Sequence, residues 1–219
     1  MTFRQYVCFV LAGLLTSSIL AQTGQTFDYD NTRADYRHNW SFGAGVNIID
    51  DSGEIFGGIQ NPDDYWNFST PFYISAEYYL NNEFSFLAML SMNGFDEGKQ
   101  IDNAVVIEGE EADYYSADFL AKYSFRDVIK SYKFDPFVGF GFGYSSLSSF
   151  KTLYEEYGES TVRDIPSSNS FTINGAAGFN YWISNSWGIN MNIMGKWNTD
   201  TDFDDNLKEF SLGAVYFLP

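Results

Sequence analysis

Apolar and polar residues alternate along eight separate stretches of the chain, and this period of two constrains the fold more than any other feature. Successive side chains of a β-strand point to opposite faces, so each stretch predicts a strand with one apolar face. Each stretch is about ten residues long, the length that a tilted strand needs to cross a bilayer. The stretches are 38–48, 71–81, 84–94, 113–125, 136–145, 171–183, 187–197 and 209–218. The predicted fold class is therefore all-β, a closed eight-stranded antiparallel barrel.

The connections between these stretches alternate between long and short. The long ones are 49–70, 95–112, 146–168 and 199–207, whereas 81–83 and 184–186 are short and 126–135 is intermediate. Outer-membrane barrels have short periplasmic turns and longer extracellular loops. The spacing thus predicts an up-and-down transmembrane barrel with four extracellular loops.

The two faces of the predicted strands differ in a way that favours a membrane barrel over a soluble one. Aromatic residues lie at both ends of the apolar face, as in the interfacial girdles of membrane proteins. The periplasmic girdle would be Trp40, Tyr123, Tyr181, Trp187 and Tyr216, and the outer girdle Phe72, Tyr115, Tyr144, Trp197 and Phe210. The opposite face is rich in Gly, Ser, Asn and charge, which suits a narrow polar lumen. A soluble barrel has the reverse arrangement.

The N-terminus has the pattern of a secretory signal. Arg4 precedes the short apolar run Val7–Leu15, and Ala21 ends a segment typical of a cleavage site. We predict a signal peptide at 1–21, a short periplasmic segment at 22–37 and the barrel domain at 38–219. Cys8 is the one cysteine of the chain, so the predicted mature protein has no thiol for a disulfide or a zinc site.

The net charge argues against nucleic acid as a partner, and the position of the acidic residues indicates where an extracellular partner would bind. The chain has 12 basic and 29 acidic residues, a net charge of −17, which repels the phosphates of nucleic acid. Twenty of the 29 acidic residues lie in or beside the four long loops, with four basic residues. Most of them are expected to form a solvated surface, where an extracellular partner would bind. Aromatic residues make up 20% of the chain, which excludes intrinsic disorder.

Three motifs resemble functional sites, and each has a simpler explanation. The glycines of Gly139–Gly143 alternate within a strand, whereas a nucleotide-binding loop must open a helix. The acidic run Asp200–Asp205 resembles the start of a calcium loop, but Asp205 replaces the required glycine and Ser211 the closing glutamate. His38 would lie at the periplasmic edge, away from lipid substrates at the outer rim. We expect no catalytic residue, cofactor or metal.

Five charged residues are predicted to point into the lumen, namely Glu77, Asp118, Lys122, Lys196 and Glu209. A charge in a narrow lumen must be paired or hydrated. Lys196 and Glu209 flank the last long loop, so we expect them to face each other across that hairpin. The other three form a candidate second group deeper in the barrel. The network serves either as a packed polar core or as a gate for ions.

Three segments resemble the small eight-stranded outer-membrane barrels of the OmpA/OmpX type. Pro136–Ser145 is similar to a central strand, Asn180–Ile189 to a strand–turn–strand hairpin, and Ser211–Leu218 to the C-terminal assembly signal. The resemblance implies the bacterial outer membrane, contact with its lipid, and recognition of the last strand by the barrel assembly machinery. It implies little about the function of the protein. A structural or surface-interaction role is favoured, followed by a narrow pore and then by a lipid-modifying enzyme.

Overall fold

The computed structural model describes residues 39–50, 66–101, 104–107, 109–131, 133–156, 159–199 and 206–218. The predicted signal peptide, the segment 22–37, His38 and the acidic run Asp200–Asp205 lie outside the described residues. Among the residues that are described, no helix is both long and apolar enough to cross a membrane.

Each of the eight alternating stretches forms a long strand. These strands are β1 (Trp40–Asp50), β3 (Phe72–Tyr79), β4 (Phe84–Phe95), β7 (Ala112–Ser124), β8 (Phe134–Leu147), β11 (Ser168–Trp182), β12 (Trp187–Asn198) and β13 (Leu207–Phe217). The shorter elements are β2 (Trp66–Asn67), β5 (Gln100–Ile101), β6 (Ala104–Val105), β9 (Phe150–Glu156), β10 (Glu159–Ile165) and the helix α1 (Arg126–Ile129).

The long strands form one closed antiparallel sheet. Each pairs with its neighbour along the chain, and β13 returns to pair with β1 from Ser41↔Phe217 to Asp50↔Lys208. Closure leaves no strand edge, so every backbone polar group within the bilayer can be paired. The predicted eight-stranded barrel is confirmed.

The outer face of the barrel carries the exposed apolar side chains. On β8, Phe140 and Phe142 are 67% and 63% exposed, whereas Asp135 and Ser145 on the other face are buried. An exposed band of this size is expected only where lipid covers it. The facing predicted from the alternation is therefore the facing observed.

The interior is less polar than the alternation indicates. From Tyr114 at the outer end, the inward residues of β7 are Tyr114, Ser116, Asp118, Leu120 and Lys122, so polar or charged layers alternate with apolar ones. The middle apolar layer consists of Tyr73, Leu87, Met89, Leu120, Ala176 and Met194, and the periplasmic layer of Tyr79, Trp182, Val215 and Phe217. Leu87 and Met89 of the middle layer lie on β4, where the outward residues are apolar as well. The alternation of apolar and polar residues is therefore weak in β4.

The predicted extracellular loops contain ordered strands that the sequence did not predict. β9 and β10 form a hairpin, and Val106 bridges to Thr152 of β9. Val106 and Phe150 are 1% and 3% exposed. Their side chains pack with Ile49, Phe95, Ala112, Tyr114, Leu147 and Leu207, the outer apolar layer. Residues from two loops thus contribute to the apolar layer at the outer end of the barrel.

The apolar outer face makes a direct prediction about Leu90. Leu90 on β4 is 55% exposed near the middle of the strand, and Leu90→Arg would place a charge against lipid. The expected loss in the free energy of unfolding is about 2–4 kcal/mol. Urea titration of the protein in vesicles measures it. Leu153→Arg is the matched control, because Leu153 is 49% exposed but lies on β9. Equal losses at both positions would contradict the assigned lipid face.

Candidate functional site in the barrel lumen

Lys196 is the centre of the charged cluster in the lumen. Its ammonium nitrogen Nζ lies 2.6 Å from Oε2 of Glu209 and 2.8 Å from Oδ2 of Asp118. It also contacts the hydroxyl oxygens of Ser116 at 2.7 Å and Tyr114 at 3.2 Å. The side chains of all three charged residues are 0% exposed. These residues come from β7, β12 and β13, so the cluster spans the lumen.

Neutral donors complete the coordination of the two carboxylates. Asn47 donates to Oε1 of Glu209 at 3.0 Å, and Ser91 donates to its Oε2 at 3.2 Å. Asn174 donates to Oδ1 of Asp118 at 2.7 Å. Two carboxylates and one ammonium leave the cluster with a formal charge of −1, which these hydrogen bonds stabilise at side chains that are 0% exposed.

A second ion pair lies nearer the periplasmic end. Nζ of Lys122 is 2.9 Å from Oε2 of Glu77, and Ser85 donates to Oε1 of Glu77 at 2.5 Å. The same ammonium lies 3.7 Å from the centre of the Phe137 ring, within the range of a cation–π interaction. This pair is formally neutral and is separated from the Lys196 cluster by the middle apolar layer.

The structure therefore brings all five predicted charges into two buried groups, but it divides them differently. Lys196 and Glu209 meet as expected. Asp118 joins them and does not belong with Glu77 and Lys122. The sequence could not reveal this, because β7 and β12 are not neighbours in the sheet and approach only across the lumen.

A small polar cavity lies beside the Glu77–Lys122 pair. Its lining includes Ser41, Tyr73 and Asn192. The hydroxyl oxygens of Ser41 and Tyr73 and Oδ1 of Asn192 are buried without a protein partner. Buried groups of this kind are satisfied by water when the space permits it. Val215 of the periplasmic apolar layer also lines the cavity.

The glycines of β8 have a packing role. Gly141 faces the interior, and a Cβ atom there would overlap the backbone oxygen of Phe119 on β7. A Cβ at Gly143 would overlap Oδ1 of Asp118. Glycine thus permits the close approach of β7 and β8 beside the Lys196 cluster. The motif lies within a strand and opens no helix, so it lacks the geometry of a nucleotide-binding loop.

The predicted girdle residues lie on the outer face at the two ends of the barrel. Seven of them are exposed: Trp40, Phe72, Tyr115, Tyr144, Tyr181, Trp187 and Trp197; Tyr123, Phe210 and Tyr216 are half-buried. The rings of Trp187 and Tyr216 are in contact across β12 and β13, with centres 4.7 Å apart and planes tilted by 50°. Cross-strand aromatic pairs of this kind stabilise neighbouring strands.

The β9–β10 hairpin presents a mixed surface. Leu153 and Val162 are cross-strand partners that are 49% and 58% exposed, and Val105 is 39% exposed. Beside them Lys151 pairs with Glu110 at 2.6 Å, and that hydrogen bond raises the pKa of Lys151. Within the described part of the chain, no three His, Cys, Asp or Glu side chains lie close enough together to hold a metal ion.

The fold is similar to that of solved bacterial surface and outer-membrane proteins. Neisserial surface protein A is similar, with a TM-score of 0.55, 12% identity and coverage of 83% of this chain and 98% of that one. The outer membrane protein OprG from Pseudomonas aeruginosa has a TM-score of 0.50 and 12% identity over 81% of this chain and 94% of its own. The attachment invasion locus protein Ail of Yersinia pestis has a TM-score of 0.47 and 15% identity over 81% and 95%.

No curated protein matches the chain significantly. The predicted class of small eight-stranded barrels is confirmed by the fold shared with Neisserial surface protein A and OprG, and a match to a protein family places the protein in the bacterial outer membrane. A protein-family model matches the chain as well. It covers residues 67–213, about two thirds of the sequence, and on that match the chain belongs to the OmpW family.

Proposed function

We propose that this barrel has a structural and surface-interaction role and that its lumen is closed to solutes. The observation that carries the proposal is the Lys196 cluster, whose three charged side chains meet across the lumen with 0% exposure. Apolar layers lie on both sides of the cluster. An eight-stranded barrel has an interior about wide enough for side chains to fill. A hydrated ion would have to displace paired charges and apolar contacts in sequence.

The interaction surface in this proposal is the β9–β10 hairpin with the neighbouring segment that carries Val105. Its exposed apolar pair Leu153 and Val162 lies among charged side chains, a combination typical of surfaces that bind other proteins. The strong negative charge of the long loops favours a partner with basic groups.

Two further partners follow from the location. Outer-membrane lipid covers the exposed apolar band of the barrel. The barrel assembly machinery would recognise β13, which carries the pattern Ser211–Leu218 and closes the barrel against β1. We propose no enzymatic role. The buried carboxylates are held by ion pairs and hydrogen bonds, which leaves them poorly placed to react with a substrate.

A narrow pore is the second candidate. The small cavity beside the Glu77–Lys122 pair favours it, because unpartnered polar atoms of Ser41, Tyr73 and Asn192 are buried there and could bind water. For a pore, the Lys196 cluster would have to open as a gate.

Solute flux separates the two candidates. We expect vesicles that contain the refolded protein to swell in arabinose no faster than protein-free vesicles, while a general porin gives fast swelling. A swelling rate that rises in proportion to the amount of folded barrel would contradict the closed lumen and favour the pore. Different gel mobility of boiled and unboiled samples verifies that the protein is folded.

A further inference from the structure

We propose that the periplasmic turn between β7 and β8 binds the headgroup of an anionic phospholipid in the inner leaflet of the outer membrane. The turn consists of α1 followed by Lys130 and Lys133, and we call it the basic turn. The inference uses the membrane location of the barrel. It holds whether or not the lumen conducts.

The charge of the basic turn is opposite to that of the rest of the protein. The eight residues 126–133 contain three basic residues, Arg126, Lys130 and Lys133, and one acidic residue, Asp127, in a chain whose net charge is −17. Arg126 is buried with its Nε 3.9 Å from Asp127, so Lys130 and Lys133 carry the excess positive charge. The next acidic residue, Asp135, is buried and accepts a hydrogen bond from Ser124. A local excess of positive charge at a membrane surface attracts anionic headgroups.

Two apolar side chains of the basic turn extend the lipid-facing surface. Val128 and Ile129 are 66% and 44% exposed although they are adjacent in sequence. The amide of Ile129 donates to the backbone oxygen of Phe125, whose ring packs at 5.1 Å on the girdle residue Tyr123. The exposed pair therefore follows closely on an aromatic contact at the periplasmic end of β7. Apolar side chains beside lysines are the usual composition of a segment that lies in the membrane interface.

The backbone at Lys130 gives an independent indication. Lys130 has a φ of 53°, in the left-handed region, and its amide donates to the oxygen of Arg126 to end α1. This position at the end of a helix favours glycine or asparagine, and a lysine there has a conformational cost. The lysine side chain is exposed at the same end of the barrel as the periplasmic girdle. The exposed ammonium of Lys130 can thus reach lipid phosphates at that end of the barrel.

The test is lipid retention in native mass spectrometry. The folded wild-type protein in detergent is titrated with dioleoylphosphatidylglycerol and, separately, with dioleoylphosphatidylcholine. We expect preferential retention of the anionic lipid. Lys130→Gly removes the charge and suits the backbone, so it should leave stability unchanged or raised while it weakens retention about five-fold, the factor for about 1 kcal/mol per lysine. Lys130→Gly with Lys133→Gln should weaken it further.

Lys151→Gln is the matched control, because it removes an exposed lysine from β9 at the opposite end. Its retention of the anionic lipid should equal that of the wild type. Three results would overturn the proposal: equal retention of the two lipids by the wild type, wild-type retention in the Lys130→Gly variant, or the same loss in Lys151→Gln. Val128→Ser with Ile129→Ser should weaken retention of the anionic lipid as well. Unchanged retention would show that these two side chains are not part of the site.

Discussion

Lys196→Met is expected to lower the free energy of unfolding by about 3–5 kcal/mol, the cost of removing one partner from a buried ion pair. The variant leaves the carboxylates of Asp118 and Glu209 facing each other with no cation, in a site that is 0% exposed. Hydrogen bonds from Asn47, Ser91 and Asn174 offset only part of that repulsion. Urea unfolding in vesicles, followed by tryptophan fluorescence, gives the value.

Compensating substitutions test the geometry of the cluster. Lys196→Met with Glu209→Gln still leaves the charge of Asp118, so this double variant should recover only part of the loss. The triple variant, which adds Asp118→Asn, has no buried charge and should recover most of it. Losses that simply add from one variant to the next would mean that the three residues do not interact.

The second large effect is expected from Gly141→Ala. A Cβ at this position would overlap the backbone oxygen of Phe119, so β7 and β8 must separate beside the Lys196 cluster. Insertion of a methyl group into a packed interior costs about 1–3 kcal/mol, and we expect the upper end because backbone atoms cannot rotate away. Unfolding in urea under the same conditions measures the loss.

Gly139→Ala is the control on the same strand and face. Its Cβ would lie 3.3 Å from Cδ2 of Leu120 and 3.4 Å from Cγ of Lys122, side-chain atoms that can shift. The expected loss is below about 1 kcal/mol, because alanine also restricts the unfolded chain. Equal losses for Gly139→Ala and Gly141→Ala would contradict the close approach of β7 and β8.

The alternation of apolar and polar residues was sufficient to predict the barrel, because in a membrane the two faces of a strand meet opposite environments. Phe140 and Asp135 illustrate this, since the first is exposed to lipid and the second is buried within the same strand. The same pattern predicted that Lys196 and Glu209 meet, because their strands are joined by one loop.

The other features of the lumen and loops depend on contacts between residues that are far apart in the sequence, and a pattern along the chain does not contain those contacts. Asp118 reaches Lys196 across the lumen, between strands that never pair. Leu120 and Met194 form an apolar layer at positions where a polar lumen was expected, because side chains in so narrow an interior must pack against one another. In the loop 146–168, the buried face of β9 carries Phe150 and Thr152 and the exposed face carries Lys151 and Leu153, so both faces mix polar and apolar residues and give no alternation.

Conductance across a planar bilayer tests the closed lumen most directly. The wild-type barrel is predicted to give no stable conductance, and the triple variant of Lys196, Asp118 and Glu209 is predicted to stay closed as well, because the apolar layers around Leu120 and Phe150 remain. A stable conductance of the wild type, or one that opens when Lys196 alone is replaced, would show that the cluster is a gate and would contradict the account.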